Sequence, residues 1–396
     1  MLEPLFWILF VIVGYTYFGY AFILFLMVHV KRIFSKKKVE TVLSPGQYPD
    51  VCLFVTAYNE TGFIERKIKN TFDLNYPKEK MQYIWVTDGS DDGSPEKLRE
   101  YPQLEVFHQE ERRGKMHAMN RGMQFVKTPI VIFSDCNTML AKNTVLSIVS
   151  EFINNPKVGC VAGEKRIFGD QEEDAATAGE STYWRFESWV KKMDSELNSA
   201  VGAAGELFAI RRELFEEVEE DTLLDDFIIS LRIAMKGYKI SYVPEAYATE
   251  TASASVQEEM KRKKRIAAGG IQALVRLMPL LNPFRYGLLT FQYISHKVLR
   301  WTIAPVALFL LPVVNLLILL FGRLHHLPVF FVLFFVLQVF MFLMALVGYF
   351  FERRKTSLKI WFVPYYFTSM NYAAIAGCLR YLKGKQSVKW EKAKRA

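Results

Sequence analysis

The chain has 396 residues, 51% of them apolar and 15% aromatic, with 50 Lys and Arg against 41 Asp and Glu for a net charge of +9. This composition excludes a disordered chain, a small disulfide scaffold and a simple secreted enzyme. A mean hydropathy of +0.09 is high for a soluble protein and low for a transporter made mostly of spans. The average hides two regimes: residues 40–265 are patterned like a soluble domain, and both ends carry long uncharged apolar runs.

Residues 4–30 contain no Asp, Glu, Lys or Arg and are long enough to cross a bilayer. A cleavable leader would want a cationic start and a shorter apolar core, so the run reads as a retained anchor over residues 1–30. A basic linker follows over residues 31–49, with Lys31, Arg32, Lys36, Lys37 and Lys38. Those cations place the end of the anchor, and the domain after it, in the cytoplasm of a bacterial-type inner or plasma membrane. Further basic clusters, at 261–265, 353–355 and 383–395, also sit beside apolar runs. That distribution suits anionic lipid and a membrane surface, and it argues against a nucleic-acid partner.

From residue 50, strand-like and helix-like runs alternate. Strands are expected at 51–58, 82–87, 104–108, 130–134 and 158–162, and helices at 64–72 and 115–126. The alternation predicts an α/β domain over residues 50–272 with a mostly parallel twisted sheet. Ligands bind such sheets beyond the C-terminal strand ends. Polar clusters stand there: Tyr58, Asn59 and Glu60 after the first strand, and Asp88, Gly89, Ser90 and Asp92 after the second. Lys115 opens a helix, where a cation opposes the macrodipole and wants an anion such as a diphosphate. Asp135 and Asn137, two apart at a strand end, suit a hard divalent cation, Mg²⁺ or Mn²⁺. Four cysteines, Cys52, Cys136, Cys160 and Cys378, form no CxxC or Cys/His cluster and are expected to be reduced.

Beyond the domain, residues 273–300 interleave Arg285, His296, Lys297 and Arg300 with aromatics, as a helix lying in the interface would. Residues 301–382 hold two clear spans, 301–322 and 327–351, joined by a short loop at 323–328. The uncharged run 360–379 contains Pro364, Ser369 and Asn371 and is either a third span or re-entrant. A basic tail follows at 383–396.

Taken as an ordered set, these clusters resemble the membrane-embedded family 2 glycosyltransferases with a GT-A fold, the branch that includes cellulose, chitin, hyaluronan and poly-N-acetylglucosamine synthases. The resemblance spans roughly residues 50–272 and the arrangement of flanking helices. It implies that Tyr58, Asn59, Glu60, Asp88 and Asp92 hold the nucleoside, that Lys115 lies near the nucleotide, and that Asp135 binds the metal with Asn137 as second ligand. Asp225 and Asp226 resemble the acidic pair whose second member is the catalytic base; helix capping is the bland alternative. Arg262 and Arg265, three apart on one helical face, stand where the family has a Gln/Arg-x-x-Arg-Trp motif that neutralises the leaving diphosphate. Here Ile266 replaces the Trp. Gly205 and Glu206 look like the acceptor-side turn, and Tyr183, Trp184 and Trp189 are candidates for stacking sugars or for core packing.

The implied activity is inverting transfer from a nucleotide-diphospho-sugar, with UDP-GlcNAc the first choice, to elongate a β-linked polysaccharide. A non-processive transfer of one sugar to a lipid-linked acceptor is the rival, and a non-catalytic scaffold is a third reading. So few spans also suggest a small membrane partner subunit or self-association.

Overall fold

In the computed structural model, residues 2–35, 46, 48–168, 175–251, 256–322, 329–353 and 359–384 are described. The expected loop at 323–328, most of the basic linker and most of the basic tail lie outside them. The elements in chain order are α1 (Leu2–Gly14), α2 (Tyr20–Phe34), β1 (Val51–Ala57), α3 (Thr61–Phe72), β2 (Met81–Asp88), α4 (Ser94–Arg99), β3 (Glu105–Gln109), α5 (Lys115–Met123), β4 (Ile130–Asp135), β5 (Met139–Leu140), α6 (Thr144–Asn154), β6 (Val158–Phe168), α7 (Ala175–Leu197), β7 (Leu207–Arg211), α8 (Asp225–Met235), β8 (Lys239–Thr251) and α9 (Val256–Arg276). There follow α10 (Pro283–Tyr286), α11 (Leu288–Tyr293), α12 (Leu299–Trp301), α13 (Ile303–Phe321), α14 (Val329–Arg353) and α15 (Lys359–Leu382).

The eight strands form one sheet in the order β3-β2-β1-β4-β7-β6-β8-β5. The first four are mutually parallel, β7 runs antiparallel between β4 and β6, and β6 and β8 are parallel again. Every residue of β1 is buried. Alternate side chains of the strand feed two cores, as period-two geometry requires. Val51, Leu53 and Val55 join Ile64, Ile68, Ile148 and Phe152 on the α3/α6 face. Cys52 and Phe54 join Met116, Met119, Phe208 and Phe227 on the α5/α8 face.

The reversal at β7 positions the site. Ser134 pairs with Leu207, so the start of β7 lies beside the end of β4 and brings Glu206 next to Asp135. Short β5 pairs Met139 with Thr249, which draws the turn after β4 toward the end of β8.

Three helices among the described residues are long and apolar enough to cross a membrane: residues 2–34, Ile303–Phe321 and residues 329–351. A π-helical turn, Tyr15–Gly19, joins α1 to α2. Helix α15 is not among the three; it carries Pro364 and packs along α9, where Gly377 meets Ala267 and the Lys264 carbonyl. The stretch expected as one interfacial helix at 273–300 is instead a broken series. Asn282 accepts from Phe284 N at 3.0 Å, and Gly287 takes φ 52°, which ends α10 and redirects the chain.

Three basic residues of that stretch, His296, Lys297 and Arg300, turn toward acids of α7. Glu187 of α7, 3% exposed, accepts from Lys297 at 2.6 Å, Arg300 at 2.9 Å and His296 Nε2 at 3.1 Å. Burial works against its charge, yet these cations outweigh it and hold its carboxyl well below the usual range. His296 Nδ1 meets Asp194 at 2.6 Å, and Asp194 also takes the Tyr20 hydroxyl of α2. The network thus ties the first apolar helix to the domain. The cysteines are free, with Cys52, Cys136 and Cys160 buried and Cys378 half-buried.

Candidate active site

A shallow cleft opens at the C-terminal ends of β1 and β2, lined by Thr56, Ala57, Tyr58, Asp88, Arg112, Gly114, Lys115 and Ala118. Tyr58, Asp88 and Lys115, all expected at the donor site, line it. Asp88 does so with both oxygens engaged: they accept from Arg113 N at 3.1 Å and Gly114 N at 2.7 Å. The carboxylate therefore shapes the loop that launches α5. Arg112, which the sequence reading missed, stacks its guanidinium 3.7 Å from the Tyr58 ring centroid. Its signal was available, three residues before the lysine in an Arg-Arg-Gly-Lys run.

Asn59, Glu60 and Asp92 do not line the cleft; they brace two loops against each other. Asn59 Nδ2 donates to Asp91 at 2.7 Å, and Asn59 N to Ser90 Oγ at 3.1 Å. Glu60 N donates to Ser94 Oγ at 3.1 Å, while Asp92 accepts from Thr61 N and Ser94 N, both at 3.0 Å. Asp92 is held below the usual range: its hydrogen bonds overcome the opposing effect of burial. The three residues expected to hold the nucleoside thus also join the loops that follow β1 and β2.

Lys115 is the centre of the charge arrangement. Its Nζ lies 2.9 Å from Asp135 Oδ1 and 3.2 Å from Asp225 Oδ2. Burial disfavours the ammonium, but Asp135 and Asp225 hold it charged. The macrodipole argument for an anion at this helix start is thus met first by carboxylates of the protein. Burial and nearby Glu206 push Asp135 up, against the pull of Lys115.

Asp225 and Asp226 are the first two residues of α8, where acids suit the helix N-terminus. Capping alone does not account for their surroundings. A Cβ on Gly205 would lie 3.6 Å from Asp226 Oδ2 and 3.8 Å from Lys115 Nζ, so the turn before β7 passes within van der Waals reach of both. Asp226 is pushed up to about 7, first by burial and then by the neighbouring Asp225 charge.

Glu206 Oε1 takes Lys165 at 2.6 Å and lies 3.5 Å from Arg262. Despite burial, those two cations keep it far below its ordinary value. Arg262 also stands 3.7 Å from Glu259 and 4.0 Å from Glu250, so it reaches a carboxylate cluster. Arg265 sits one turn on along α9, half-buried. Asn137 donates to Glu250 at 3.2 Å. Lys165 and Glu250 were invisible in the sequence as site residues, because each is isolated in its own strand. The ring of Trp184 has Lys263 and Lys165 over it at 5.1 and 5.4 Å, and Trp189 is 6.5 Å from Phe25 of α2. The side chain of Tyr183 lies outside the described ones. Lys67, fully buried, donates to Ser134 Oγ at 2.6 Å and the Thr138 carbonyl at 2.7 Å, spanning the turn that bears Asp135 and Asn137.

The donor set fits a divalent metal. Asp135, Asp225 and Asp226 surround one lysine, an excess of hard anionic oxygens that a divalent cation complements. No group of three or more His, Cys, Asp or Glu among the described residues could hold a metal by itself.

Residues 52–219 match the family described as Glycosyl transferase family 2. These residues carry a family 2 glycosyltransferase domain. This glycosyltransferase is 25% identical over 285 residues to the poly-beta-1,6-N-acetyl-D-glucosamine synthase of Staphylococcus aureus (strain MSSA476), over 70% of its own length and 66% of the relative's. The enzyme of that name from Staphylococcus epidermidis is 23% identical over 239 residues, 58% of this chain and 57% of the relative. The chain therefore spans just under two thirds of the curated relatives' length. Among solved structures, the mannosyltransferase PcManGT from Pyrobaculum calidifontis, in complex with GDP-Man and Mn2+, superposes with a TM-score of 0.71 at 21% identity, covering 98% of this chain and 100% of that one. The glycosyltransferase thus has a GT-A fold, a mixed and mostly parallel sheet with helices, plus apolar helices able to span a membrane.

Proposed function

We propose that this glycosyltransferase elongates a β-linked polysaccharide at the membrane by inverting transfer from a nucleotide-diphospho-sugar, with UDP-GlcNAc as donor. The observation that carries the chemistry is the convergence of Asp226, Lys115 and Asp135 beside the cleft at the strand ends, with Asp226 poised near neutrality. The polymer and donor rest on the similarity to poly-N-acetylglucosamine synthases.

The nucleoside lies in the cleft against Tyr58 and Arg112, with Asp88 holding the loop beneath it. Asp135 and the carbonyl oxygen of Asn137 would hold Mg²⁺ or Mn²⁺, which when bound would offset negative charge on the diphosphate. Lys115 at the α5 N-terminus adds a second positive field there, and Arg262 and Arg265 approach from α9. Asp226 accepts the proton of the acceptor hydroxyl as that oxygen attacks the anomeric carbon and the nucleoside diphosphate departs. A carboxylate near 7 is a stronger base than an ordinary one and is about half ionised at neutral pH. Glu206 and Gly205 lie on the acceptor side. The catalytic domain faces the cytoplasm, where nucleotide sugars are made.

Ile266 in place of a tryptophan favours a second reading, transfer of a single sugar to a lipid-linked acceptor. Incubation of membranes with labelled UDP-GlcNAc, UDP-Glc, UDP-GlcA and GDP-Man, followed by sizing of the product, decides between them. Polymeric product from UDP-GlcNAc is expected; a product limited to lipid-soluble monosaccharide overturns elongation.

A further inference from the structure

Asn137 stands where a second metal carboxylate would be expected, and an amide can ligate a cation only through its oxygen. The end of the amide that faces the metal is set by what the other end meets. Here the other end meets Glu250. Asn137 Nδ2 donates to Glu250 Oε1 at 3.2 Å, while Glu250 Oε2 takes Lys165 Nζ at 2.5 Å. Glu250 is 3% exposed, so these contacts are made away from water. A carboxylate engaged with an ammonium has no proton to give, and only the N–H side of the amide can face it. The pairing of β5 with β8 makes the contact possible, by drawing the turn after β4 onto the strand that carries Glu250 near its end.

We propose that Glu250 is a positioning residue that orients the Asn137 amide, leaving its carbonyl oxygen as the second oxygen ligand for the divalent cation beside Asp135. The inference rests on the metal reading above. It explains how an uncharged residue serves at this position. Through Lys165 and through Arg262, 4.0 Å away, the same carboxylate links the metal turn to the helix bearing the basic pair. Lys165 has a second acid in Glu206 at 2.6 Å, so the pairing with Glu250 is not needed merely to neutralise the lysine.

The test follows from counting acceptors. Glutamine has one carbonyl oxygen, and Lys165 claims it. In Glu250→Gln the amide nitrogen then faces Asn137 and turns the Asn137 oxygen away from the metal. Asn137→Asp alone sets a carboxylate against Glu250. Together, Gln at 250 donates to one oxygen of Asp at 137 and frees the other.

Mn²⁺ binding to the purified full-length protein with UDP, followed by electron paramagnetic resonance of free Mn²⁺, reads this without turnover. Each single variant is expected to bind Mn²⁺ about 10–100-fold more weakly. The Asn137→Asp/Glu250→Gln pair is expected to recover most of the loss. Weakening by Asn137→Asp, which adds a negative charge, has no explanation in simple charge counting. This arm stands even if Glu250→Gln fails to fold. Unchanged Mn²⁺ affinity in the single variants, or no recovery in the pair, overturns the proposal. Asp135→Asn separates the two levels: if it abolishes Mn²⁺ binding while Glu250→Gln does not alter it, the positioning role alone falls. If Asp135→Asn leaves binding intact, the metal reading falls with it.

Discussion

Asp226 carries the most specific chemistry at the scale of single residues. Its identity as an acid at a helix start is explained equally well by capping; its enclosure beside Lys115 and Asp225 is not. Replacing it with Asn keeps the shape and helix position but removes the base, so transfer should fall by about 10²-fold or more, measured as initial rate with labelled donor. The ionised form is the active one, so kcat/KM should fall as pH drops below about 7. In Asp225→Asn a neighbouring negative charge is lost, and Lys115 is left with one fewer competing acid. Both changes favour ionised Asp226, so the acid limb of the pH profile should move to lower pH. A limb that stays in place would assign it to another group.

Two local arrangements make predictions at the scale of elements. The β2–α4 turn depends on Gly89, which adopts φ 67° and would place a Cβ only 2.5–2.9 Å from Cβ, Cα and N of Arg112. Gly89→Ala should therefore strain the turn and push out the loop bearing Arg112 and Lys115, costing about 1–3 kcal/mol. The expected readouts are a lower melting temperature and weaker binding of UDP. Helices α7 and α12 are joined through Glu187, which meets the Lys297 and Arg300 cations and the His296 ring. Glu187→Ala leaves those charges without their carboxylate and should destabilise the protein by about 3–5 kcal/mol, read by thermal unfolding in detergent. Strand ends and helix starts were legible in the sequence because alternation and turn residues are local signals. The breakup of the 273–300 stretch was not, since its aromatics and cations satisfy the pattern of an interfacial helix until Glu187 and Asp194 arrive from a hundred residues away in the chain.

The whole molecule joins a GT-A domain to apolar helices, and the joint is built from α7, α9 and the segment leading to α13. Helix α9 serves several neighbours through small residues: Gly269 lies against Leu223 and Leu224, just before the acidic pair, and Gly270 against Trp301. The segment leading into α8 is thus packed on α9, which also meets Trp301 of α12. In intact cells a tag within residues 50–272 should resist added protease and become cleavable in inverted vesicles, as the positive-inside distribution requires. Cleavage in intact cells would reverse the orientation. Chelation should abolish transfer, and Mn²⁺ or Mg²⁺ should restore it; transfer that survives chelation would leave Lys115, Arg262 and Arg265 as the whole source of diphosphate stabilisation.

The sequence by itself determined the division into anchor, α/β domain and C-terminal apolar helices, the strands of the parallel half, and the positions of Lys115, Asp135 and Asp226. Each of these is written in short-range periodicity or in a motif a few residues long. Only the tertiary structure decided which polar residues face the cleft and which brace it. Asn59 and Asp92 satisfy neighbouring loops, while Lys165 and Glu250 reach the site from separate strands. Their partners were set by the antiparallel turn of β7 and the pairing of β5 with β8, contacts between residues as many as 113 positions apart. No local signal encodes such pairings, because they depend on which strands become neighbours in the sheet.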